Sequence, residues 1–228
     1  MCLRSPRRIR RFREDCAELL ATDNCVLLYY ITDRTQFSSE EPERRERLLE
    51  KVSQAARVGV DYIQLREKDL ASRDLEQLAR EAMRRVAGAQ SKLLINSRTD
   101  IALAVGAHGV HLRSNDISPE DVRKVWRQSG YGTVPIIGAS CHSEKEVIAA
   151  REGGADFVVF GPVFAKAAAP GVGLSALRSV CGHDIPVLAL GGVTRENARS
   201  CIDAGAAGIA AIRLFQENDI QSVAEVLR

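Results

Sequence analysis

A short segment with the sequence YIQLREKD carries Gln64, Arg66 and Lys68 at alternate positions. Successive side chains of a strand point to opposite faces, so these three share one face while Ile63 and Leu65 share the other. Burying an amide and two cations without partners is costly. Arginine binds phosphate through two parallel hydrogen bonds and lysine adds a compact positive charge, so this face predicts an anion site. An exposed edge strand with solvated charges is the alternative interpretation.

Residues that could contribute side chains or backbone groups to a site also follow the other apolar segments of the chain, near the predicted strand ends. They are Thr32, Asp33, Asn96, Ser97, Arg98, His111, Asp116, Ser140, His142, Gly161, Lys166, Gly191, Gly192, Ile212 and Arg213. A glycine pair lets the backbone approach an anion closely, and a following helix N-terminus favours negative charge. A tight turn without a ligand is the other interpretation of the glycine pair.

The composition restricts the class of protein. The chain has 228 residues, 45% of them hydrophobic and 27% charged, as expected for one globular domain of the size of an α/β barrel. Its net charge of +2 argues against a general nucleic-acid binder, and no apolar run suits a membrane span or a signal peptide. Six scattered cysteines without a CxxC pair indicate reduced thiols in a cytoplasmic protein instead of disulfides or a zinc site.

Apolar patterns with alternating periods predict eight strand–helix units. Strands are predicted over 26–31, 62–66, 92–95, 109–112, 136–140, 157–160, 186–190 and 208–212. Helices are predicted over 40–56, from the Ser72 or Asp74 cap to about 86, and over 100–105, 118–127, 143–152, 173–179, 194–204 and 221–227. Ser72 or Asp74 is expected to cap the second helix, and Ser118 with Pro119 to begin the fourth.

Eight such units without a long break predict a single-domain α/β protein, a (βα)8 TIM barrel over 25–228. An open doubly wound sheet is the alternative, but no GxGxxG follows the first strand. Active sites of such barrels lie at the C-terminal ends of the strands, so the polar residues should converge on one rim. Residues 1–24 are predicted to form a basic arm or helix that is solvated or closes the barrel floor, with RNA contact as the alternative.

Eight motifs in a fixed order resemble a known family. They are YITD at 30–33, QLREKD at 64–69, IN at 95–96, GVHL at 109–112 followed by Asp116, GASCHS at 138–143, GADFVVFGPVF at 154–164, LGGV at 190–193 and GAAGIAAI at 205–212. Each motif is short, but the ordered set closely resembles thiamine phosphate synthases and their TenI-like relatives. The resemblance covers roughly residues 26–215 and leaves out the N-terminal arm.

The resemblance implies a transferase that uses Mg²⁺ and two phosphorylated small molecules. In the family, a hydroxymethylpyrimidine diphosphate loses pyrophosphate, and the nitrogen of a thiazole phosphate attacks the pyrimidine methylene to give thiamine phosphate. The implied substrate contacts are Gln64, Arg66, Lys68, Asn96, Ser140, Gly191, Gly192, Ile212 and Arg213. Asp116 is the implied metal ligand, and Lys68, Ser140 and His142 are the expected catalytic residues. A homodimer is the expected assembly, without nucleic-acid or membrane partners.

Two positions depart from the family pattern. Ser97 follows Asn96 where the family usually has a magnesium-binding aspartate, and a hydroxyl is a poorer ligand for Mg²⁺ than a carboxylate. The sequence KAAA at 166–169 replaces a Thr-x-Thr-Lys loop that holds diphosphate in the family. Lys166 is expected to supply the missing cation from a different position.

Two other functions therefore stay open at the level of the sequence. A TenI-like aminothiazole tautomerase would need neither diphosphate nor Mg²⁺ and would use His142 as general acid and base. A non-catalytic barrel would bind thiazole phosphate or thiamine phosphate without turnover. Gln64, Arg66, Lys68 and Asn96 favour the synthase, because a pyrimidine diphosphate site needs them.

Overall fold

The fold is a closed barrel of eight parallel strands in a computed structural model that describes residues 26–38, 40–165 and 170–228. The strands are β1 Leu27–Ile31, β2 Tyr62–Leu65, β3 Lys92–Asn96, β4 Gly109–Leu112, β5 Ile136–Cys141, β6 Phe157–Phe160, β7 Val187–Leu190 and β8 Gly208–Ala211. Each strand pairs in parallel with the next, and β8 pairs with β1 to close the barrel. The predicted (βα)8 barrel is confirmed. The predicted arm at 1–24 and Lys166 lie outside the described residues.

Helices connect successive strands and form the outer layer. They are α1 Glu43–Val58, α2 Ser72–Val86, α3 Thr99–Val105, α4 Pro119–Gln128, α5 Glu144–Glu152, α6 Gly173–Cys181, α7 Ala198–Asp203, α8 Arg213–Gln216 and α9 Ile220–Leu227, with a 3-10 turn at Arg34–Gln36. The short α8 after β8 was not predicted, and α7 begins four residues later than the sequence pattern indicated. In the part of the chain that the structure describes, no helix is long and apolar enough to span a membrane.

Helix capping agrees with the sequence at α4 and differs at α2. The Ser118 side chain accepts a hydrogen bond from the N–H of Asp121, and Pro119 occupies the first helical position, as predicted. The expected cap by Ser72 or Asp74 is wrong, because α2 already begins at Ser72 and has no side-chain cap. The Ser72 hydroxyl instead accepts a hydrogen bond from Arg98 in the neighbouring β3–α3 loop.

The barrel has two apolar layers because both faces of every strand are covered. On β2, Ile63 and Leu65 pack in the cluster between strands and helices, while Tyr62 packs in the cluster inside the barrel. Aromatic rings fill the interior: Tyr62 stacks on Phe157 with centroids 4.9 Å apart, and Tyr29 meets Phe157 edge-on. Fully burying such a side chain contributes about 1.5–3 kcal/mol. This filled interior supports the polar side chains at the upper ends of the strands.

Candidate active site

The predicted polar face of β2 forms part of the C-terminal rim. Gln64 is only 2% exposed, and its side-chain amide donates a 2.8 Å hydrogen bond to Oδ1 of Asn96 on β3. Arg66 is half-buried, with its backbone N–H bonded to Thr32, and Lys68 is exposed. The charge of Arg66, then desolvation and the charge of Arg113, lower the pKa of Lys68. Three cations thus lie near one another, as a site for a multiply charged anion requires.

Buried hydrogen bonds fix the loop that carries these cations. Glu67 is buried, and its carboxylate accepts from the Thr32 hydroxyl at 2.6 Å and from the backbone N–H of Arg34 at 2.9 Å. The Arg34 guanidinium also pairs with Glu67 and, through two bonds of 2.7 and 2.9 Å, with Asp69. Burial raises the pKa of Glu67 against these contacts. The network anchors the segment from Arg66 to Lys68 through Glu67. Sequence reasoning missed it because its residues lie on different strand–helix units.

A chain of hydrogen bonds continues from β3 to the candidate metal ligand. The Asn96 amide donates to the Ser97 hydroxyl at 3.2 Å, and Ser97 in turn bonds to Asp116. Burial raises the pKa of Asp116, but bonds from Ser97 and Arg113 outweigh it, so the pKa lies below its ordinary value. Arg113 contacts both Asp116 oxygens through its backbone and guanidinium groups. Its position three residues before Asp116 was the available sequence signal for this ion pair.

Ser97 adopts a backbone conformation that is uncommon for serine. Its φ is +59°, in the left-handed region where asparagine and aspartate are enriched among residues other than glycine. The Ser97 N–H is fixed by a 2.9 Å bond to the carbonyl of His111. The turn therefore has a shape that suits the aspartate usual at this position in the resembling family.

The donor set at Asp116 fits a magnesium ion only in part. No group of three or more His, Cys, Asp or Glu side chains suited to a metal occurs among the described residues. Asp116 and the Ser97 hydroxyl offer one carboxylate and one weak oxygen ligand. Mg²⁺ commonly combines one or two carboxylates with water and substrate phosphates. These residues would therefore add two oxygen ligands to an ion that a bound diphosphate already carries.

Inside the barrel, one histidine connects strands β1, β4 and β5. His111 is buried; its Nδ1 lies 3.0 Å from the Tyr29 hydroxyl and its Nε2 lies 2.9 Å from Oγ of Ser140. Burial lowers the pKa of His111 to about 3, so the imidazole is neutral near pH 7. The structure thus brings the predicted residue Ser140 to the same rim as Gln64 and Asn96. Tyr29 was missed because its sequence neighbours are apolar.

His142 lies on the outer part of the same rim. It is exposed, and its Nδ1 lies 2.6 Å from the carbonyl oxygen of Gly161. A carbonyl only accepts, so Nδ1 carries a hydrogen, and in the neutral form of the ring Nε2 presents a lone pair. The backbone N–H of His142 bonds to Glu146, within the capping box that Ser143 forms at α5. His142 is thus held by the helix cap and retains one nitrogen for chemistry.

The glycine pair after β7 borders a cavity of about 670 Å³ that Ile212 and Arg213 also line. Gly191 and Gly192 have φ of +97° and +66°, and a Cβ on Gly191 would lie 2.5 Å from Cα of Pro162. Only glycine fits both the conformation and the space. The N–H groups of Gly192 and Arg213 donate to no acceptor among the described residues. The cavity therefore offers free backbone donors, as a phosphate cradle requires.

Arg195 is a further cation of this cavity that sequence reasoning missed. It lies three residues after Gly192 and lines the same cavity. Its Nε is buried and has no hydrogen-bond partner among the described residues. An arginine after a glycine pair at the start of a helical unit was the available sequence signal.

The fold and the rim together define a (βα)8 barrel whose C-terminal face carries several cations and a glycine-lined cavity. Within that class, the chain belongs to the thiamine monophosphate synthase family, whose sequence profile matches residues 28–215. The thiamine-phosphate synthase of Clostridium novyi (strain NT) is 37% identical over 206 residues, which cover 88% of this chain and 96% of that protein. That of Methanoculleus marisnigri is 36% identical over 210 residues, covering 88% and 93%.

A solved structure also supports membership of this family. The thiamine phosphate pyrophosphorylase from Pyrococcus furiosus superposes with a TM-score of 0.74 and 32% identity, covering 89% of this chain and 94% of that chain. The family resemblance inferred from short motifs is confirmed.

Proposed function

We propose that the protein is a thiamine-phosphate synthase, which joins hydroxymethylpyrimidine diphosphate to thiazole phosphate and releases pyrophosphate. The observation that supports the proposal is that two regions suited to binding anions lie on one rim of a barrel of this family. Arg66 and Lys68 form one beside Gln64 and Asn96, and the cavity at Gly191 and Gly192 forms the other. Two phosphorylated substrates have to meet on such a rim.

The cations at β2 assist departure of the diphosphate. Negative charge builds on the leaving group as the bond to the pyrimidine methylene breaks, and donors already in place stabilise that charge. Arg66 binds the phosphate oxygens bidentately, while Lys68 and Arg113 add positive charge beside it. The Gln64–Asn96 amide pair, in which Gln64 is buried and Asn96 partly exposed, orients the pyrimidine end of the substrate.

In this proposal, Mg²⁺ enters the site together with the diphosphate substrate. When bound, it would neutralise charge on the departing diphosphate. Asp116 and Ser97 would hold it, with the remaining ligands from phosphate oxygens and water. The Arg113–Asp116 ion pair keeps the carboxylate ionised in the absence of the ion.

The glycine cavity positions the nucleophile. A thiazole phosphate would accept hydrogen bonds from the N–H groups of Gly192 and Arg213, with the Arg195 guanidinium beside them. Fixing the phosphate at one end holds the thiazole nitrogen in line with the pyrimidine methylene. Such positioning removes much of the entropic part of the barrier.

His142 is the observation that favours the tautomerase as second candidate. Its Nε2 lone pair is left free by the Nδ1 contact to Gly161, as a general base requires. The two functions predict opposite responses to chelation: the synthase loses its rate with EDTA and with Asp116→Ala, and the tautomerase loses its rate only with His142→Ala.

The deciding experiment is incubation of purified protein with both synthase substrates and Mg²⁺, with thiamine phosphate detected by thiochrome fluorescence. We expect product that EDTA abolishes, and the exposed Glu120→Ala on α4 serves as control. A rate unchanged by EDTA would contradict the synthase. Binding of thiazole phosphate without any turnover would indicate the non-catalytic barrel.

The first testable prediction concerns the missing aspartate. Ser97→Asp should lower the Mg²⁺ concentration needed for half-maximal rate, because it adds a carboxylate beside Asp116 in a backbone conformation that aspartate tolerates. A magnesium titration of the wild type and the variant measures the effect. An unchanged or higher requirement would show that Ser97 does not border the metal.

We also propose a cytoplasmic location and a homodimer, as expected from the sequence. Cys141, Cys181 and Cys201 are free thiols, which suits a reducing compartment. Fractionation of cells and the solution mass of the purified protein test these two points.

A further inference from the structure

Three side chains from three strands form one hydrogen-bonded line within the barrel. The hydroxyl of Tyr29 on β1 contacts Nδ1 of His111 on β4 at 3.0 Å, and Nε2 contacts Oγ of Ser140 on β5 at 2.9 Å. Tyr29 and His111 are 0% and 2% exposed, whereas Ser140 is half-buried. The line therefore runs from the closed interior to the rim.

The space around the imidazole is made by a glycine. A Cβ at position 138 of β5 would lie 2.8 Å from Nδ1 of His111 and 2.6 Å from Cζ of Phe157, so only Gly138 admits the ring there. The rings of Tyr29 and Phe157 flank the imidazole, with centroids 5.6 and 6.3 Å away. His111 is thus enclosed by rings and backbone, and both of its nitrogens are committed to partners.

The protonation states of Tyr29 and His111 determine which group donates each hydrogen bond in this series of three side chains. Burial raises the pKa of Tyr29 well above its ordinary value, so the phenol keeps its hydrogen. The His111 ring is buried among aromatic rings and its nitrogens contact hydroxyl oxygens, not carboxylates, so a charged imidazolium would be costly there and the ring carries one hydrogen only. The partner that the structure shows for the Tyr29 hydroxyl is Nδ1, and a buried O–H left without an acceptor is costly. Tyr29 therefore donates to Nδ1, and the ring hydrogen lies on Nε2.

We propose that His111 is a positioning residue whose Nε2–H donates to Ser140, which makes the Ser140 hydroxyl a hydrogen-bond donor to the substrate. A hydroxyl that already accepts from Nε2–H has its own hydrogen free to point elsewhere, and here that direction is toward the rim. Ser140 then recognises a lone pair on the bound pyrimidine diphosphate. In this arrangement His111 takes up no proton from Ser140, and Ser140 is no nucleophile. The substrate contact in this inference rests on the proposed function, whereas the position of the hydrogen on the His111 ring does not.

The tautomer is tested directly, without turnover. Long-range ¹H–¹⁵N NMR of the full chain distinguishes a protonated Nε2 from a protonated Nδ1, and the signal of His111 among the four histidines is assigned with His111→Gln. We expect protonated Nε2 near pH 7 in the free protein. A protonated Nδ1 would overturn the inference, whatever the protein catalyses.

Kinetics test the coupling between Tyr29 and Ser140. Tyr29→Phe keeps the ring and removes the donor to Nδ1, so we expect KM for the pyrimidine diphosphate to rise about two- to tenfold, the value of one hydrogen bond. Ser140→Ala should raise it by at least as much. The double variant should be no worse than Ser140→Ala, because Tyr29 acts only through Ser140. Multiplying losses would show that Tyr29 has a structural role, and the inference would fail.

Tyr30→Phe is the matched control. Tyr30 is the next residue on β1, equally buried, but it faces the helices and its hydroxyl has no partner among the described residues. Loss of that hydroxyl should leave KM and kcat unchanged. An effect equal to that of Tyr29→Phe would show that any buried hydroxyl on β1 matters, against the proposed line. Absence of thiamine phosphate in all proteins would refute the proposed function alone, since the NMR result stands separately.

Discussion

Lys68 lies beside a second cation at the rim, and Arg66 lowers its pKa more than any other neighbour does. Such repulsion disfavours the empty site and is relieved when a diphosphate binds between the charges. At the scale of single residues, the rim is thus arranged for binding at a cost to the free protein. Arg195 also carries a cost in the free protein, because its buried Nε has no hydrogen-bond partner among the described residues.

We predict that Arg66→Ala and Lys68→Ala each lower turnover by about ten- to a hundredfold, because a hydrogen bond to a charged group contributes about 1.5–3 kcal/mol. The melting temperature should stay constant or rise, since like charges are removed. Thiochrome assays and thermal unfolding measure both effects, with the exposed Lys124→Ala on α4 as control. A variant that unfolded at lower temperature would identify its residue as structural.

We predict that Arg195→Gln raises KM for thiazole phosphate about tenfold and leaves KM for the pyrimidine diphosphate unchanged, because Arg195 lines the glycine cavity. Steady-state kinetics with each substrate varied in turn measure the difference. Arg199→Gln is the control, since Arg199 pairs with Asp203 on the exposed surface of α7. Equal effects of the two substitutions would mean that general surface charge, not a contact in the cavity, is responsible.

At the scale of elements, the loop after β2 is held by the unit before it. Thr32 and Arg34 follow β1, and together they occupy both carboxylate oxygens of Glu67. The same Thr32 hydroxyl oxygen accepts from the backbone N–H of Arg66. The position of the two rim cations therefore depends on a buried carboxylate between them.

We predict that Glu67→Gln destabilises the fold by about 1–3 kcal/mol, because the amide nitrogen cannot accept from one of the buried donors that the carboxylate now binds, while Arg34 stays paired with Asp69. It should also lower the affinity for pyrimidine diphosphate, because Arg66 and Lys68 lose their anchor. Urea unfolding and substrate binding measure the two effects. Glu76→Gln breaks an exposed pair with Arg80 on α2 and should cost below about 0.5 kcal/mol. Similar costs for both substitutions would contradict the anchoring role.

At the scale of the whole molecule, closure of the barrel joins units that are far apart in the chain. His111 meets Tyr29 across 82 residues and Ser140 across 29. Two histidines, His108 and His111, have pKa values lowered first of all by burial. Both are neutral in the folded protein under conditions where an unfolded chain would protonate them.

We predict that stability falls as pH is lowered below about 6.5, the ordinary pKa of histidine. Between that pH and about 3 the unfolded chain binds a proton at His111 that the folded chain excludes, so protonation favours unfolding. The contribution is about 2–3 kcal/mol between pH 6.5 and 4.5. Urea unfolding at several pH values measures the slope, which should be flatter in His111→Gln. An identical slope in that variant would contradict burial of a neutral imidazole.

The sequence by itself determined the strand order, the barrel and much of the rim. Period-two alternation in YIQLREKD was sufficient to place Gln64 on the inner face of β2 and Ile63 and Leu65 on the outer face, because a strand allows no other arrangement. Local signals were also sufficient at Ser118 and Pro119, where the cap depends only on residues within one turn. At Ser72 the same kind of signal failed, because Arg98 of another unit uses that hydroxyl.

Only the tertiary structure decided which polar groups are partners. Nothing near His111 in the chain indicates Tyr29 or Ser140, and nothing near Glu67 indicates Arg34. These contacts exist because eight parallel strands close into a ring, so that residues at equal height on separate strands face one small interior. Hydrogen-bond direction, charge state and burial depend on that closure, whereas strand periodicity depends on the local backbone alone.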